Sequence, residues 1–150
     1  MIVKSGRIYL WENNISEANL YIQVGEGGNT NQQVKISDTK LNKPLVTGTD
    51  VDIWYSKTEL PVDSTDWKDS LINTTNTSIT KYLNKTTRKI TIFIKIVPKA
   101  AAIQLGEMGL FVQVGQDPDP EQDILISKTM MHKQTLSNSE IKILQYTINI

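Results

Sequence analysis

The hydrophobic positions of this chain alternate more often than they recur at helical spacing. The clearest run is residues 89–97. There Ile90, Ile92, Ile94 and Ile96 fall on one side, with Phe93 and Val97 on the other. Alternation predicts a strand, and apolar residues on both sides predict one in the middle of a packed layer. Pro98 ends the run because it cannot donate to a ladder. Residues 107–114 alternate too, with Met108, Leu110, Val112 and Val114 together. A third strand begins over residues 124–128, and a fourth covers 139–150. In the fourth the phase slips: Ile141 and Ile143 share one face, then Leu144, Tyr146, Ile148 and Ile150 the other. Such a slip predicts a bulge, or a strand buried on both faces.

The first half is less regular. Residues 2–11 are rich in β-branched, aromatic and apolar side chains and predict a short N-terminal strand, broken at Glu12-Asn13-Asn14. Asn14 can cap one helical turn over residues 16–20. Leu20 to Val24 predicts a strand that stops at Gly25, Gly27 and Gly28, where glycine permits positive φ. Val51, Ile53 and Tyr55 share one face of another. Residues 56–70 predict a long connection with a short helix near 64–71, and the Asn- and Thr-rich residues 73–87 a mobile loop or edge strand. Several strands separated by turns predict a mainly β, β-sandwich-like domain with at most one or two short helices, spanning residues 1–150 as one unit.

Composition narrows the chemistry. The chain has 150 residues and no cysteine, which removes disulfides, thiolate metal sites and cysteine catalysis. Its 16 basic and 16 acidic residues cancel, so no global pull towards nucleic acid or an anionic membrane is expected. No apolar run approaches the roughly 18 residues of a membrane span, and residues 1–7 lack the apolar region of a signal peptide, which predicts a soluble protein. Charge is nevertheless segregated. Residues 70–106 hold six basic residues (Lys81, Lys85, Arg88, Lys89, Lys95, Lys99) and no acidic ones. Residues 107–127 hold five acidic residues (Glu107, Asp117, Asp119, Glu121, Asp123) and no basic ones. Such a pair of patches can engage copies or neighbours, or simply face solvent.

Each candidate for chemistry meets a plainer reading. The cluster Gly25-Glu26-Gly27-Gly28 lacks the spacing of a phosphate loop. The carboxylates at 117, 119, 121 and 123 resemble a calcium ligand run, but Gln122 and Lys128 stand where an EF-hand needs glycine and glutamate. A solvated, self-repelling connection is the plainer expectation. His132 is the sole histidine, too few for a triad or a histidine zinc site. Asp50 and Asp52, about 7 Å apart on a strand with a rise of ~3.3 Å per residue, read as exposed alternate positions rather than a glycosidase pair. Trp11, Trp54, Tyr55 and Trp67 can build a sugar-stacking platform, although aromatics more often fill a core. The Asn-x-Ser/Thr sequences at Asn14, Asn73, Asn76 and Asn84 reflect composition. The residues therefore predict no catalytic, cofactor-binding or metal-binding site, and a protein that is not an enzyme.

Four segments carry a resemblance. They are Tyr21-Ile22-Gln23-Val24-Gly25-Glu26-Gly27-Gly28, Ser37-Asp38-Thr39-Lys40-Leu41, Glu107-Met108-Gly109-Leu110-Phe111, and Leu125-Ile126-Ser127-Lys128-Thr129 with the alternating stretch to Ile150. In this order they resemble the N-terminal, particle-proximal module of bacteriophage tail-fibre and tail-collar proteins. Glu107 to Phe111 matches its most recognisable "E-I-G-L-F" element. The sequence departs from the family pattern at Asn42-Lys43-Pro44 and in the long turn after Val114, and it lacks a fibrous C-terminal region. The resemblance implies a structural component of a phage tail: a fibre-attachment, baseplate or adaptor protein, homo-oligomeric in the virion and bound to other tail proteins. It implies assembly in the bacterial host cytoplasm. The alternative is a carbohydrate- or cell-surface-binding module of a tail appendage. For "E-x-G-L-F" a physical reason is available: glycine within a strand lets another group approach, Phe111 fills the space beside it, and Glu107 is a strand-start carboxylate with a local partner.

Overall fold

In the computed structural model, residues 1–13, 19–28, 33–70, 83–84 and 89–149 are described. The chain is mainly β. The helix α1 spans Lys4–Glu12, followed by seven strands: β1 Leu20–Gly25, β2 Val51–Ser56, β3 Leu83–Asn84, β4 Lys89–Pro98, β5 Ile103–Val112, β6 Ile124–Leu136 and β7 Lys142–Asn149. They form two antiparallel sheets. Sheet A has the order β1-β5-β6. In sheet B, β4 is central, with β2 and the short β3 on one edge and β7 on the other.

The isoleucine run explains the centre of sheet B. Ile90, Ile92, Ile94 and Ile96 are fully buried and face sheet A. They pack with Val51, Ile53 and Tyr55 of β2 and Tyr146 and Ile148 of β7. From sheet A come Leu20, Ile22, Val24, Leu105, Met108, Leu110 and Val112. The two sheets thus share one apolar layer, as the alternating sequence demands. Polar ties cross it at both sides. The Tyr55 hydroxyl accepts from the Ile22 amide at 2.9 Å, and the Tyr146 and Ser127 hydroxyls lie 2.6 Å apart.

Several local expectations are corrected. Residues 2–11 form a helix, not a strand. Ile2 alone makes a strand-like bridge, to Ser127, and α1 then lies across β6. The reason lies in β6, which carries a register shift opposite Leu110/Phe111. Its bulge frees the carbonyls of Leu125 and Ile126, which accept from Ser5 Oγ at 2.7 Å and Val3 N at 3.1 Å. Gly6 presses against the Ile126 main chain so closely that any Cβ would overlap it. Close packing and satisfied carbonyls outweigh the β propensity of Ile8, Tyr9 and Trp11. Near residues 64–70 no helix forms; Lys68 instead pairs with Tyr55 through reciprocal main-chain hydrogen bonds. β5 begins at Ile103, before Glu107, and its inward phase changes at a second register shift beside Gly106. The phase slip in the last strand is not a bulge. β4 and β7 pair without interruption from Lys89↔Asn149 to Ile96↔Lys142, and Ile141 precedes β7. The helical turn predicted near residues 16–20 falls largely outside the described residues, as does all of 73–87 except β3.

Candidate interaction surfaces

Sheet A is covered on both faces. Its outer face presents Tyr21 and Gly25 from β1, Glu107, Gly109 and Phe111 from β5, and Leu125 and Lys128 from β6, as the pairs Tyr21↔Phe111, Gly25↔Glu107 and Gly109↔Lys128 require. The segment before Leu45 lies over it. Leu41 packs with Val3, Phe111 and Leu125 in a second apolar cluster, flanked by Tyr21 and Val34. The Tyr21 and Phe111 rings stack with centroids 5.4 Å apart. A Cβ on Gly109 would stand 3.0 Å from both Leu41 and Leu125, so the strand glycine makes room for two leucines.

Two charged residues are fully buried in this layer: Glu107 and Lys128, each 0% exposed. Glu107 accepts from the amides of Asn42 and Lys43 at 2.6 and 2.8 Å. Lys128 Nζ donates to Asn42 Oδ1 at 2.8 Å, Lys40 O at 2.9 Å and Asp38 Oδ2 at 3.2 Å. Burying a charge is costly unless its hydrogen-bonding capacity is filled. Here the 38–43 segment fills it, and the two side chains hold that segment against the sheet. Glu107 is therefore mid-strand, and its partners lie far away in sequence rather than local. The expected approach of a large side chain to Gly109 is found. Sequence reading passed over Lys128, because its flanking pattern marks a strand but not which face is covered.

The glycine cluster belongs to the same layer. A Cβ on Gly27 would overlap the Glu107 carboxylate, and Gly28 alone of the three adopts positive φ, 88°. Its glycines serve close approach to Glu107, Lys43 and Gly106. The acidic loop is not simply solvated. Asp123 is buried and accepts from the Tyr21 hydroxyl at 2.5 Å, Val114 N at 2.9 Å and Asp119 N at 2.6 Å. Burial and the Asp123 hydrogen bond push the Tyr21 phenol well above its usual range. Glu121 pairs with Lys40 at the surface. No cluster of three metal-ligating residues occurs among the described residues.

The outer face of sheet B differs. Lys95 Nζ lies 5.5 Å from the Trp54 ring centroid and 5.4 Å from that of Trp67, and donates to Val62 O. Trp67 is buried with its Nε1 bonded to Pro61 O, whereas Trp54 is half-buried. Trp11 stands apart on α1 at 91% exposure, and Tyr55 is in the core. The four aromatics thus do not share a platform. Asp50 lies in the turn before β2 and accepts from Val46 N, and Asp52 pairs with Lys99. His132 is exposed on β6. Of the basic stretch, Lys89, Lys95 and Lys99 are described, while Lys81, Lys85 and Arg88 lie outside the described residues. So do Asn14, Asn73 and Asn76; Asn84 belongs to β3.

Among the described residues, two features stand open to a partner. One is a groove of about 580 Å³ on the side where β1 and β2 meet, lined by Leu20, Leu45, Ile53, Tyr55, Pro118 and Glu121 among others. Strand addition to β1 is blocked there, because Tyr55 occupies the Ile22 amide and Leu45 N takes Val24 O. The other is the edge of β7 opposite β4, which has no main-chain partner among the described residues.

No family model, no curated protein and no solved structure matches this chain. No helix among the described residues is long and apolar enough to cross a membrane.

Proposed function

We propose that this protein is a structural component of a bacteriophage tail, a fibre-attachment, baseplate or adaptor protein that acts through protein–protein assembly. The observation that carries the assembly role is the edge of β7 opposite β4, which has no main-chain partner among the described residues. Its eight residues pair with β4 in unbroken register, carry Lys142 as their one charge, and include no proline or bulge. Natural edge strands are usually guarded by several such devices, and one guarded only by a lysine at its start is a template for another strand. The resemblance supplies the setting: three of its segments lie in the strands of sheet A, Ser37 to Leu41 covers them, and the stretch to Ile150 runs on into β7 of sheet B. Assembly as a homo-oligomer in the virion, with other tail proteins as partners, follows from the same reading. With Trp11 apart on α1 and both Trp54 and Trp67 engaged by Lys95, the carbohydrate-binding alternative has less footing.

Light scattering on the purified chain, alone and mixed with candidate tail proteins, tests the reading. A mass above the monomer in either case is expected. It should fall when Gln145 and Thr147, exposed on β7, are both replaced by lysine, with the strand content unchanged. A strict monomer that ignores tail proteins and binds glycans would overturn it.

A further inference from the structure

We infer that Lys128 and Asn42 form a self-generated covalent cross-link, an amide between the lysine Nζ and the asparagine Cγ, with Asp38 as the proton carrier. Three observations point to it. First, the amine is fully buried, yet its two nearest acceptors are neutral, Asn42 Oδ1 at 2.8 Å and Lys40 O at 2.9 Å; the Asp38 carboxylate is farther, at 3.2 Å. A buried ammonium held chiefly by neutral oxygens carries a desolvation cost that conversion to an amide removes. Second, nucleophile and electrophile are pinned together. Lys128 sits in β6, while Glu107 holds the Asn42 and Lys43 amides at 2.6 and 2.8 Å, so the asparagine main chain cannot withdraw. Such fixed proximity replaces a bimolecular encounter. Third, Asp38 Oδ2 touches Nζ and is only partly exposed, placed to accept and return a proton.

The reaction balances without an oxidant or a cofactor. Nζ gives one proton to Asp38. Rotation of the Asn42 carboxamide presents Cγ to the free amine, and the Nζ lone pair forms the Nζ–Cγ bond while the carbonyl π pair moves to oxygen. A second Nζ proton passes to Nδ2, the Cγ–Nδ2 bond breaks, and ammonia departs, taking the proton from Asp38 as it leaves. Asn42 lies at the surface above the buried amine, so the leaving group has a path to water.

The test is the intact mass of the purified, fully folded chain. The expected result is a mass lower than the sequence mass by one ammonia, with proteolytic fragments joined through Lys128 and Asn42. Lys128→Arg and Asn42→Ala should each restore the sequence mass, and Asp38→Asn should slow the loss. The unmodified chain decides the matter even if a variant fails to fold. A chain that keeps its full sequence mass after prolonged incubation overturns the inference. So does an ammonia loss that maps to an unlinked asparagine, or a water loss that joins Lys128 to Asp38.

Discussion

The outer faces of the two sheets follow opposite strategies on one sandwich. On sheet A, two charged side chains are buried and a tyrosine half-buried beneath a covering segment, and no buried side-chain nitrogen or oxygen among the described residues lacks a hydrogen-bond partner. On sheet B, the charges of Lys95, Lys99 and Asp52 stay near solvent and meet aromatic faces or each other loosely, with Lys99 and Asp52 3.6 Å apart. The difference teaches that the charge on a face matters less than what covers it. A carboxylate under a loop becomes a structural clamp, because loss of its partners would leave buried polar groups stranded. A carboxylate in water contributes little, since screening and side-chain entropy offset the attraction.

The largest effect expected is that of Glu107→Ala. It strands the amides of Asn42 and Lys43, at about 1–3 kcal/mol for each unpaired donor, so a loss of about 3 kcal/mol should appear in urea unfolding. A loss under ~0.5 kcal/mol would erase the contrast between the faces, because surface substitutions also fall in that range. Next comes alkaline pH. Burial pushes the Tyr146 phenol up to about 12, partly countered by its hydrogen bond with Ser127, and Tyr21 shifts in the same direction. A raised phenol pKa means that the folded state keeps a proton which the unfolded chain releases above its ordinary value. Stability is then fully present below about pH 10 and falls as pH rises to about 12, by up to roughly 3 kcal/mol for Tyr146. Urea midpoints that stay flat between these pH values would contradict the burial of both phenols.

Smaller effects belong to sheet B. Lys95→Ala removes contacts with two rings at a partly exposed site, and about 0.5–1 kcal/mol should be lost. Thermal unfolding would reveal it, together with a change in tryptophan fluorescence from Trp54 and Trp67. Lys99→Ala should change stability by no more than about 1 kcal/mol, and less in high salt. If it costs as much as Glu107→Ala, the two faces are not the different environments their burial implies.

What could be read in the sequence follows from these contrasts. The alternation of Ile90, Ile92, Ile94 and Ile96 was enough to place β4 at the centre of a layer, because period-two burial is a local property of the chain. The spacing of Glu107, Gly109 and Phe111 marked one face where a neighbour must come close. It did not reveal that Leu41 and Leu125 take the space at Gly109, nor that the amides of Asn42 and Lys43 satisfy Glu107. Residues 2–11 misled for a related reason: their composition favours a strand, yet the freed carbonyls of β6 and the bare face of Gly6 favour a helix.

By itself, then, the sequence determined the mainly β character, the inward faces of β2 and β4, and the absence of cysteine chemistry, since each depends on residue type and short-range periodicity. Only the tertiary structure decided that Lys128 is buried rather than solvated, that Asp123 turns inward to Tyr21, that Trp11 stands apart while Trp54 and Trp67 flank Lys95, and that the second edge of β7 has no main-chain partner among the described residues. Those features depend on which distant segments cover which face, and the pairing of residues 65–102 positions apart in sequence leaves no periodic trace.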